Sequence, residues 1–381
     1  MASRRPTVYD VAARAGVSIA TVSFAFQKPD KVRHETRETI LRAAKEIGYV
    51  PSGSARNLAR GTTGVLGLHL FDLLLERPPD GPASARPGAL DLGSLSLDGG
   101  LVAWDAADDA RQSAPQTFPL YVDEVQRGFV LECKRNGRAV LLSTGGIGLS
   151  EVADTAGRVD GLAVLPGQSA MSSLAAVSAH LPVVLLSSPV GEGHRVLIDN
   201  VGGEKMLVRH LVDDHGVTSL GWVGAAVAYD YTERRDGFFE AVAESSPDVT
   251  AEVIDDVDLD TSPTFPRALE RAREGTLPDA LVCASDQVAM ALMDALREEG
   301  VEVPRDVRVV GFDGILAGRM SAPTLTTVRQ PMELMGRIAA QLLLTDPGDG
   351  SLPPQTVRLG VGLRVGQSCG CSDGASRELV R

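Results

Sequence analysis

Cysteine is scarce in this chain, with four residues in 381, and no stretch approaches the roughly 18 consecutive apolar residues of a membrane span. Four thiols do not make a disulfide framework. Two of them, Cys133 and Cys283, sit on apolar segments where buried reduced thiols are common, so a reduced cytoplasmic protein is expected. The Cys369-Gly-Cys371 pair offers two ligands where a zinc site normally needs four, and no metal is expected there. Met1-Ala-Ser-Arg-Arg is basic but has no apolar segment behind it, so no secretory signal is expected. The six histidines fall into no metal or triad spacing, no Gly-x-Gly-x-x-Gly follows a strand-like run, and there is no phosphate loop. No enzyme class finds its residues here, and no cofactor is expected. A hydrophobic content of 44% over this length is enough for a small headpiece and two ordinary domains.

What is present is concentrated at the start. Residues 7–27 read as two short helices joined by a turn at Gly16. Thr7 and Asp10 form a capping-box-like pair, while Val8, Val11 and Ala12 recur at helical spacing. Gly16 supplies a permissive backbone and Ser18 caps the second helix. Val17 and Val22 then face the first helix, leaving Ile19, Ala20, Thr21, Ser23 and Phe24 outward, a surface suited to a DNA major groove. A bland amphipathic hairpin has the same periodicity. Residues 32–51 add a third amphipathic helix, with Ile40, Leu41, Ala44 and Ile47 as its stripe and Gly48 with Pro51 as its stop. Residues 52–60 are weakly helical and carry no core.

Charge divides the chain at the same place. Residues 1–62 hold eleven Lys and Arg against five Asp and Glu, a balance of +6; with −13 overall, the remainder carries −19. A basic head on an acidic body confines polyanion contact to the head. The expected organisation is a helix-turn-helix DNA-binding headpiece over 1–51, a hinge over 52–62, an α/β body over 63–371 and a tail over 372–381. In the body, buried strands are expected at 65–71, 139–143, 161–165, 183–186, 220–223, 280–284 and 308–311. Helices are expected to begin near Val122, Ser150, Ser172, Gly203, Arg234, Thr264 and Asp286. Two successive sets of this alternation predict two doubly wound parallel-sheet subdomains with a ligand cleft beyond the strand ends.

The succession resembles the lactose-repressor/galactose-repressor family of bacterial transcription regulators. In the head the matching residues are Tyr9-Asp10-Val11-Ala12, Ala15-Gly16-Val17-Ser18, Thr21-Val22-Ser23, Thr36-Arg37 and Gly48-Tyr49-Val50-Pro51. In the body they are Asp199-Asn200, Arg209-His210-Leu211, Arg234-Arg235-Asp236-Gly237-Phe238, Ser285-Asp286, Val309–Asp313 and Leu325–Pro331, the last followed by a helix that returns the chain to the first subdomain. The resemblance implies a periplasmic-binding-protein-like body that dimerises and binds a small effector, such as a sugar or another polar metabolite. It implies a homodimer on a pseudo-palindromic duplex, with half-sites about one helical turn apart.

Residue by residue, the resemblance places Ile19, Ala20 and Phe24 at base-reading positions. Family members often carry arginine where Phe24 stands, and phenylalanine cannot donate to guanine; packing beside Phe26 in the head core is the alternative. Ser18, Thr21, Ser23, Gln27 and Lys31 are expected to hold phosphates. Leu58 matches a hinge leucine that wedges into the minor groove, with Ser52, Ala55 and Asn57 on the same segment; a plain linker is the alternative. Gly53 and a length near ten residues leave the hinge unable to hold a helix alone. The effector cleft is assigned Asp72, Tyr121, Arg234 and Asp286 by the same resemblance, against N-capping for Asp286, a surface ion pair for Arg234 and ordinary half-burial for Tyr121. Residues 257–262 lack the aromatic residue that many sugar-responsive relatives carry nearby.

Residues 73–117 depart from the pattern, since family members connect this strand and helix almost directly. The stretch opens Pro/Ala/Gly-rich and then alternates leucines around Asp98-Gly99-Gly100, which reads either as an added hairpin or as a disordered loop. An effector-controlled repressor is the expected function, and an activator or an effector-independent DNA binder on the same frame is the alternative. A secreted solute-binding protein shares the body but has no use for a basic head.

Overall fold

The computed structural model describes residues 7–27, 31–47, 62–71, 120–145, 149–165, 174, 177–178, 181–226, 228–257, 264–371 and 378–379. The hinge over 52–60 with Ser52, Ala55, Asn57 and Leu58, the residue Asp72, and the departing segment 73–117 lie outside the described residues. Chain contacts separate Met1–Gly64 from Val65–Arg381.

The first unit holds three helices, α1 (Val8–Ala15), α2 (Ile19–Gln27) and α3 (His34–Glu46). At the start of α1, the Asp10 carboxylate accepts from the Thr7 backbone N–H and hydroxyl, both at 2.7 Å. Gly16 ends the helix at φ +67°, a left-handed conformation that costs glycine little. The Ser18 hydroxyl accepts the Thr21 N–H at 3.1 Å, capping α2 as its position foretold. Val11, Ala12, Val22, Ala25, Ile40, Ala43 and Ala44 form the core. Small side chains let three short helices approach closely.

The second unit is built on two sheets. The first strands and helices are β1 (Val65–Phe71), α4 (Leu120–Arg135), β2 (Ala139–Gly145), α5 (Leu149–Ala156), β3 (Leu162–Leu165), β4 (Val183–Leu186) and β5 (His194–Ile198). The chain continues through α6 (Asn200–Arg209), β6 (Ser219–Val223), α7 (Tyr229–Ala243), β7 (Thr250–Asp255), α8 (Pro266–Glu274), β8 (Ala280–Cys283), α9 (Asp286–Glu298) and β9 (Arg308–Asp313). It ends with α10 (Leu316–Met320), β10 (Thr326–Arg329), α11 (Met332–Thr345), β11 (Thr356–Leu359), β12 (Gly362–Arg364) and β13 (Glu378–Leu379). One sheet runs β11-β5-β4-β3-β1-β2 and the other β13-β12-β10-β9-β8-β6-β7. The first is parallel throughout; the second is parallel except where β12 meets β10 and β13. Two doubly wound lobes result. β13 lies in the stretch set apart from sequence as a tail, and pairs Leu379 with Leu363.

Alternation along the strands explains why both faces of each sheet are covered. Leu66, Leu68 and Leu70 of β1 point to one side, against Val125 and Phe129 of α4 and Met335 and Ala339 of α11. Leu162 and Val164 of β3, with Val183 and Leu185 of β4, face the opposite cluster with Val152 of α5. In the second lobe Leu220, Trp222, Val282 and Phe312 take one face, while Leu281, Cys283 and Val309 take the other against Val288 and Leu292 of α9. The chain passes between lobes after β5, after β10 and after β11, as the sheet orders require. The return through 325–331 into α11 follows the expected course.

α4 and α11 meet backbone to backbone. A Cβ on Gly128 would lie 1.9 Å from the Glu333 carbonyl oxygen, and one on Gly336 would lie 2.0 Å from that of Val125. Beside this contact the buried Glu132 carboxylate accepts from Arg337 Nε at 2.9 Å and Gln341 Nε2 at 2.6 Å. Those bonds and the Arg337 charge hold Glu132 below the usual carboxylate range.

Folding also changes the count of ligands near Cys369-Gly370-Cys371. His210 and His215, distant in sequence, lie beside the two thiols, so the segment read as too sparse for a metal stands in a group of four.

Gly336→Ala should force the two helices apart and cost about 1–3 kcal/mol. Denaturant unfolding of the full chain measures it; an unchanged midpoint would mean that the pair separates freely.

Candidate functional site

The headpiece presents one face of α2. Val22 and Ala25 are buried beneath, whereas Ile19 and Phe24 are 42% and 44% exposed, large apolar side chains on an outward face. Ala20 is exposed beside them, and Thr21 and Ser23 are half-buried. Phe24 therefore does not pack in the head core. The Ser18 and Thr21 hydroxyls lie 2.8 Å apart at the helix start, and Lys31 is exposed in the turn before α3. Gln27 closes α2. Arg14 and Glu46 pair at 2.8 Å across α1 and α3, both well exposed, so the pair contributes little to stability.

In the body, polar side chains converge between the lobes at the carboxyl ends of the strands. Arg234, on α7, is 2% exposed. Its Nη1 donates to the Ala284 carbonyl at 2.7 Å and lies 3.1 Å from Asp313 Oδ1, while its Nε donates to Asn200 Oδ1 at 3.1 Å. The guanidinium stacks over the Phe312 ring, 4.0 Å from its centre. The surface ion pair weighed for this residue is not what the fold builds. Asn200 Nδ2 reaches Asp230 at 3.0 Å and Glu233 at 2.8 Å, which links α6 to α7. Gln330 Nε2 donates to Asp313 Oδ1 at 2.6 Å from the second crossing between lobes.

The first lobe contributes Tyr121 and Ser187. Tyr121 Oη lies 3.1 Å from Ser187 Oγ, and Ser187 faces Asp230 across the gap, where its hydroxyl favours the ionised carboxyl. Ser187 has φ +60°, an uncommon conformation for a residue with a Cβ. Glu124 of α4 pairs with Arg329 of β10 at 2.5 and 3.0 Å, a second bond between lobes. The Glu124–Arg329 pair ties the two lobes together beside the crevice.

Burial governs the charges. Desolvation pushes the Asp313 carboxyl up to about 6, against the pull of Arg234. It also raises Asp230, again opposed by Arg234. Burial raises the Tyr121 phenol, and the neighbouring Asp230 charge adds to it. Asp286 is fully buried at the start of α9, where the helix cap is Ser285, accepting the Val288 N–H at 3.3 Å. The Asp286 carboxylate instead accepts the Ile315 N–H at 2.8 Å and the Thr327 hydroxyl at 2.5 Å. It fixes the loop that follows Asp313. Burial and the Asp313 charge drive its carboxyl well above the ordinary range.

Of the residues assigned from sequence, the structure brings Tyr121 and Arg234 into one cluster and sets Asp286 beneath it. Asn200, Asp230, Asp313, Ser187 and Gln330 were not assigned to the site. Asp313 had a usable signal, since it ends a buried strand where ligands of such sheets bind. Asn200 and Gln330 stood in matched stretches, Asp199-Asn200 and Leu325–Pro331, without being assigned to the site; Ser187 and Asp230 carried no signal.

Glu204 of α6 lies behind the cluster, wholly buried, with neither carboxylate oxygen bonded in the structure. Desolvation pushes it up to about 8.

Two family models match the chain. Residues 7–52 match bacterial regulatory proteins of the lacI family, and residues 208–369 match the periplasmic binding protein-like domain. The head is therefore similar to lacI-family regulatory proteins and the body to periplasmic-binding-protein-like domains. A repressor PurR of Vibrio cholerae is 28% identical over 349 residues, covering 89% of this chain and 90% of the relative. A ribose operon repressor of Halalkalibacterium halodurans is 28% identical over 339 residues, covering 89% of each. Among solved structures, the lac repressor dimer bound to operator and the anti-inducer ONPF superposes with a TM-score of 0.71 at 22% identity, covering 96% of this chain and 99% of its own. The regulator CelR in complex with cellobiose gives 0.58 at 25% identity, covering 96% and 100%. These likenesses fit a lacI-family head on a two-lobed body.

Arg234→Met should cost about 3–5 kcal/mol by leaving Asp313 and Asp230 buried without their cation; calorimetric unfolding reads this, and a loss under ~1 kcal/mol would mean the cluster is hydrated. Glu204 has an ordinary value of 4.5, so the folded protein takes up a proton between about pH 4.5 and 8. Stability falls as pH rises through that window, by up to ~1.4 kcal/mol per pH unit. Glu204→Gln removes the titration: the variant should gain on wild type toward pH 8 and level off above it. Parallel pH–stability curves would refute the assignment.

Proposed function

We propose that this protein is a sequence-specific transcriptional repressor that grips a pseudo-palindromic operator as a homodimer, with a small polar effector between its lobes setting the affinity. The observation that carries the reading is the outward face of α2, where Ile19, Ala20 and Phe24 stand clear of a core that needs only Val22 and Ala25. Apolar side chains at the start of a recognition helix suit thymine methyl groups, and the absence of a donor at Phe24 predicts an A·T-rich contact there rather than guanine. Ser18, Thr21, Ser23, Gln27 and Lys31 supply phosphate contacts that fix register. Ser52, Ala55, Asn57 and Leu58 form the hinge, with Leu58 as the minor-groove wedge. A head of balance +6 on a body of −19 keeps the rest of the protein off the duplex.

Tyr121 and Arg234 line the effector crevice, to which the family resemblance also assigns Asp72, and Asp286 supports its floor. The relatives include a repressor PurR and a ribose operon repressor by name, and a structural neighbour holds cellobiose. A sugar or another polar metabolite rich in hydroxyl or ring N–H groups fits acceptors such as Asp313 and Asp230 and the Arg234 donors. Such a ligand bridges Tyr121 and Ser187 of one lobe to Asp230 and Arg234 of the other and so shifts their spacing. The relatives are repressors rather than enzymes, and no catalytic step is assigned. The setting is the reduced bacterial cytoplasm, at the nucleoid.

Selection of bound DNA from random sequence tests the reading. A two-fold repeated site should emerge, and titration of sugars and nucleobases should then change its affinity by a coupling of ~1–3 kcal/mol. Lys31→Ala should weaken all sequences alike and lower the salt slope by about 0.9. Recovery of no symmetric site at modest ionic strength overturns the proposal; a site indifferent to every ligand overturns its effector half.

A further inference from the structure

Away from both functional surfaces, four side chains with metal-binding atoms converge. His210, His215, Cys369 and Cys371 place their ligand atoms within 4.8 Å of one another. His210 Nε2 lies 3.4 Å from Cys369 Sγ, 3.3 Å from His215 Nε2 and 3.9 Å from Cys371 Sγ, and His215 Nε2 lies 3.4 Å from Cys371 Sγ. A tetrahedral zinc ion with ordinary bond lengths sets its ligands about 3.3 Å apart for two nitrogens and about 3.6 Å for nitrogen and sulfur. The observed separations bracket those edges. We propose that this cluster is a structural Zn2+ site that pins the end of the chain to the helix following the first crossing between lobes.

The local backbone is shaped for it. After α6 the helix widens into a π-turn over His210–Asp214, with His215 as its last cap. Residues five apart sit about 140° apart around an α-helix; the i→i+5 bonding of a π-turn brings them to one side. Gly370, at φ +96°, turns the chain between the two cysteines so that both sulfurs reach the same point. The segment is fastened independently of the ligands: Ser368 Oγ donates to the Val309 carbonyl at 2.5 Å and Arg308 Nε to the Cys369 carbonyl at 3.0 Å.

The outer partners match as well. His210 Nδ1 lies 2.7 Å from the Asp214 carboxylate, which fixes Nδ1 as the protonated nitrogen and leaves the Nε2 lone pair toward the thiols. Cys369 is fully buried and His210 nearly so, while His215 and Cys371 are half-buried at the outer side of the cluster. Two sulfurs and two imidazoles in a tetrahedron suit Zn2+ over the oxygen-seeking Mg2+ and Ca2+. All four positions come from the protein, the mark of a structural rather than a catalytic centre. Binding deprotonates both thiols, releases two protons and changes no oxidation state. The site lies at the Arg308 end of β9 while the crevice lies at the Asp313 end, about 17 Å away at ~3.3 Å per residue. Its effect is on stability, not on ligand contact.

The experiment uses the full chain, purified under reducing conditions with no polyhistidine tag, and measures metal by plasma mass spectrometry. Wild type should carry about one Zn2+ per chain; Co2+ exchanged for it should give intense tetrahedral ligand-field bands and a thiolate charge-transfer band. Cys371→Ser, at a half-exposed position, should abolish that band while circular dichroism stays native, and Asp214→Asn should weaken Zn2+ binding about 10–100-fold. Removing the metal with a chelator should lower the unfolding temperature of wild type but not of Cys371→Ser. A wild-type chain that neither retains Zn2+ nor develops the Co2+ bands after reduction overturns the proposal. So does a Cys369–Cys371 disulfide, seen as a 2 Da loss in intact mass, that persists in place of metal. Metal retained equally in Cys371→Ser places it elsewhere and overturns the assignment.

Discussion

The second unit is organised around one desolvated cation. Arg234 can lie in the interior because Asp313, Asn200 and the Ala284 carbonyl take its N–H groups and Phe312 its flat face. Each partner arrives from a different part of the chain: the end of β9, the start of α6 and the turn after β8. Losing one leaves the others holding an uncompensated charge in a medium that solvates charge poorly. That mutual dependence aligns the strand ends of the second lobe at the crevice. It also explains why Asp286 serves the loop after Asp313 and not solvent: two carboxylates packed this closely must be held by backbone donors or by protons.

The headpiece follows another economy. Its core is seven mostly small side chains, and its stability rests on close approach and on caps at Asp10, Gly16 and Ser18. Nothing large is required on the outside of α2, so Ile19 and Phe24 stand exposed there. An acidic body and a basic head then carry opposite instructions toward a polyanion.

Legibility in the sequence followed burial. The strand at 183–186 matched because an uninterrupted valine and leucine run leaves few alternatives for a strand covered on both faces, and that at 65–71 because its leucines recur at every second position. Two edge strands were missed: β7 begins Thr250-Ala251-Glu252 and β11 alternates exposed with half-buried residues, so their composition resembles loop. β5 opens on His194 and Arg195, which break the apolar run before it declares itself. Arg234 was assigned to the cleft from a matched motif; Asn200 stood in one without being assigned, and Asp230 in none, because a buried amide and carboxylate look in sequence like any helix-start polar residues. The pairing of His210 with His215 was invisible for a geometric reason. Counting at about 100° per residue puts them on different sides of a helix, and only the widened turn reunites them.

The glycine pair Gly128 and Gly336 shows how the same economy works between helices. With no side chain at either point, α4 and α11 lie in contact along their backbones and the flanking polar residues, led by Glu132, lock the register. The lobe thereby joins a helix near its start to one contributed by the far end of the chain.

Three passages of the polypeptide connect the lobes, after Ile198, after Arg329 and after Leu359. A protease that severs any one of them leaves the halves tied by the other two. Neither lobe can therefore be exchanged, shed or duplicated as a contiguous cassette, and recombination that respects this architecture has to move the whole pair.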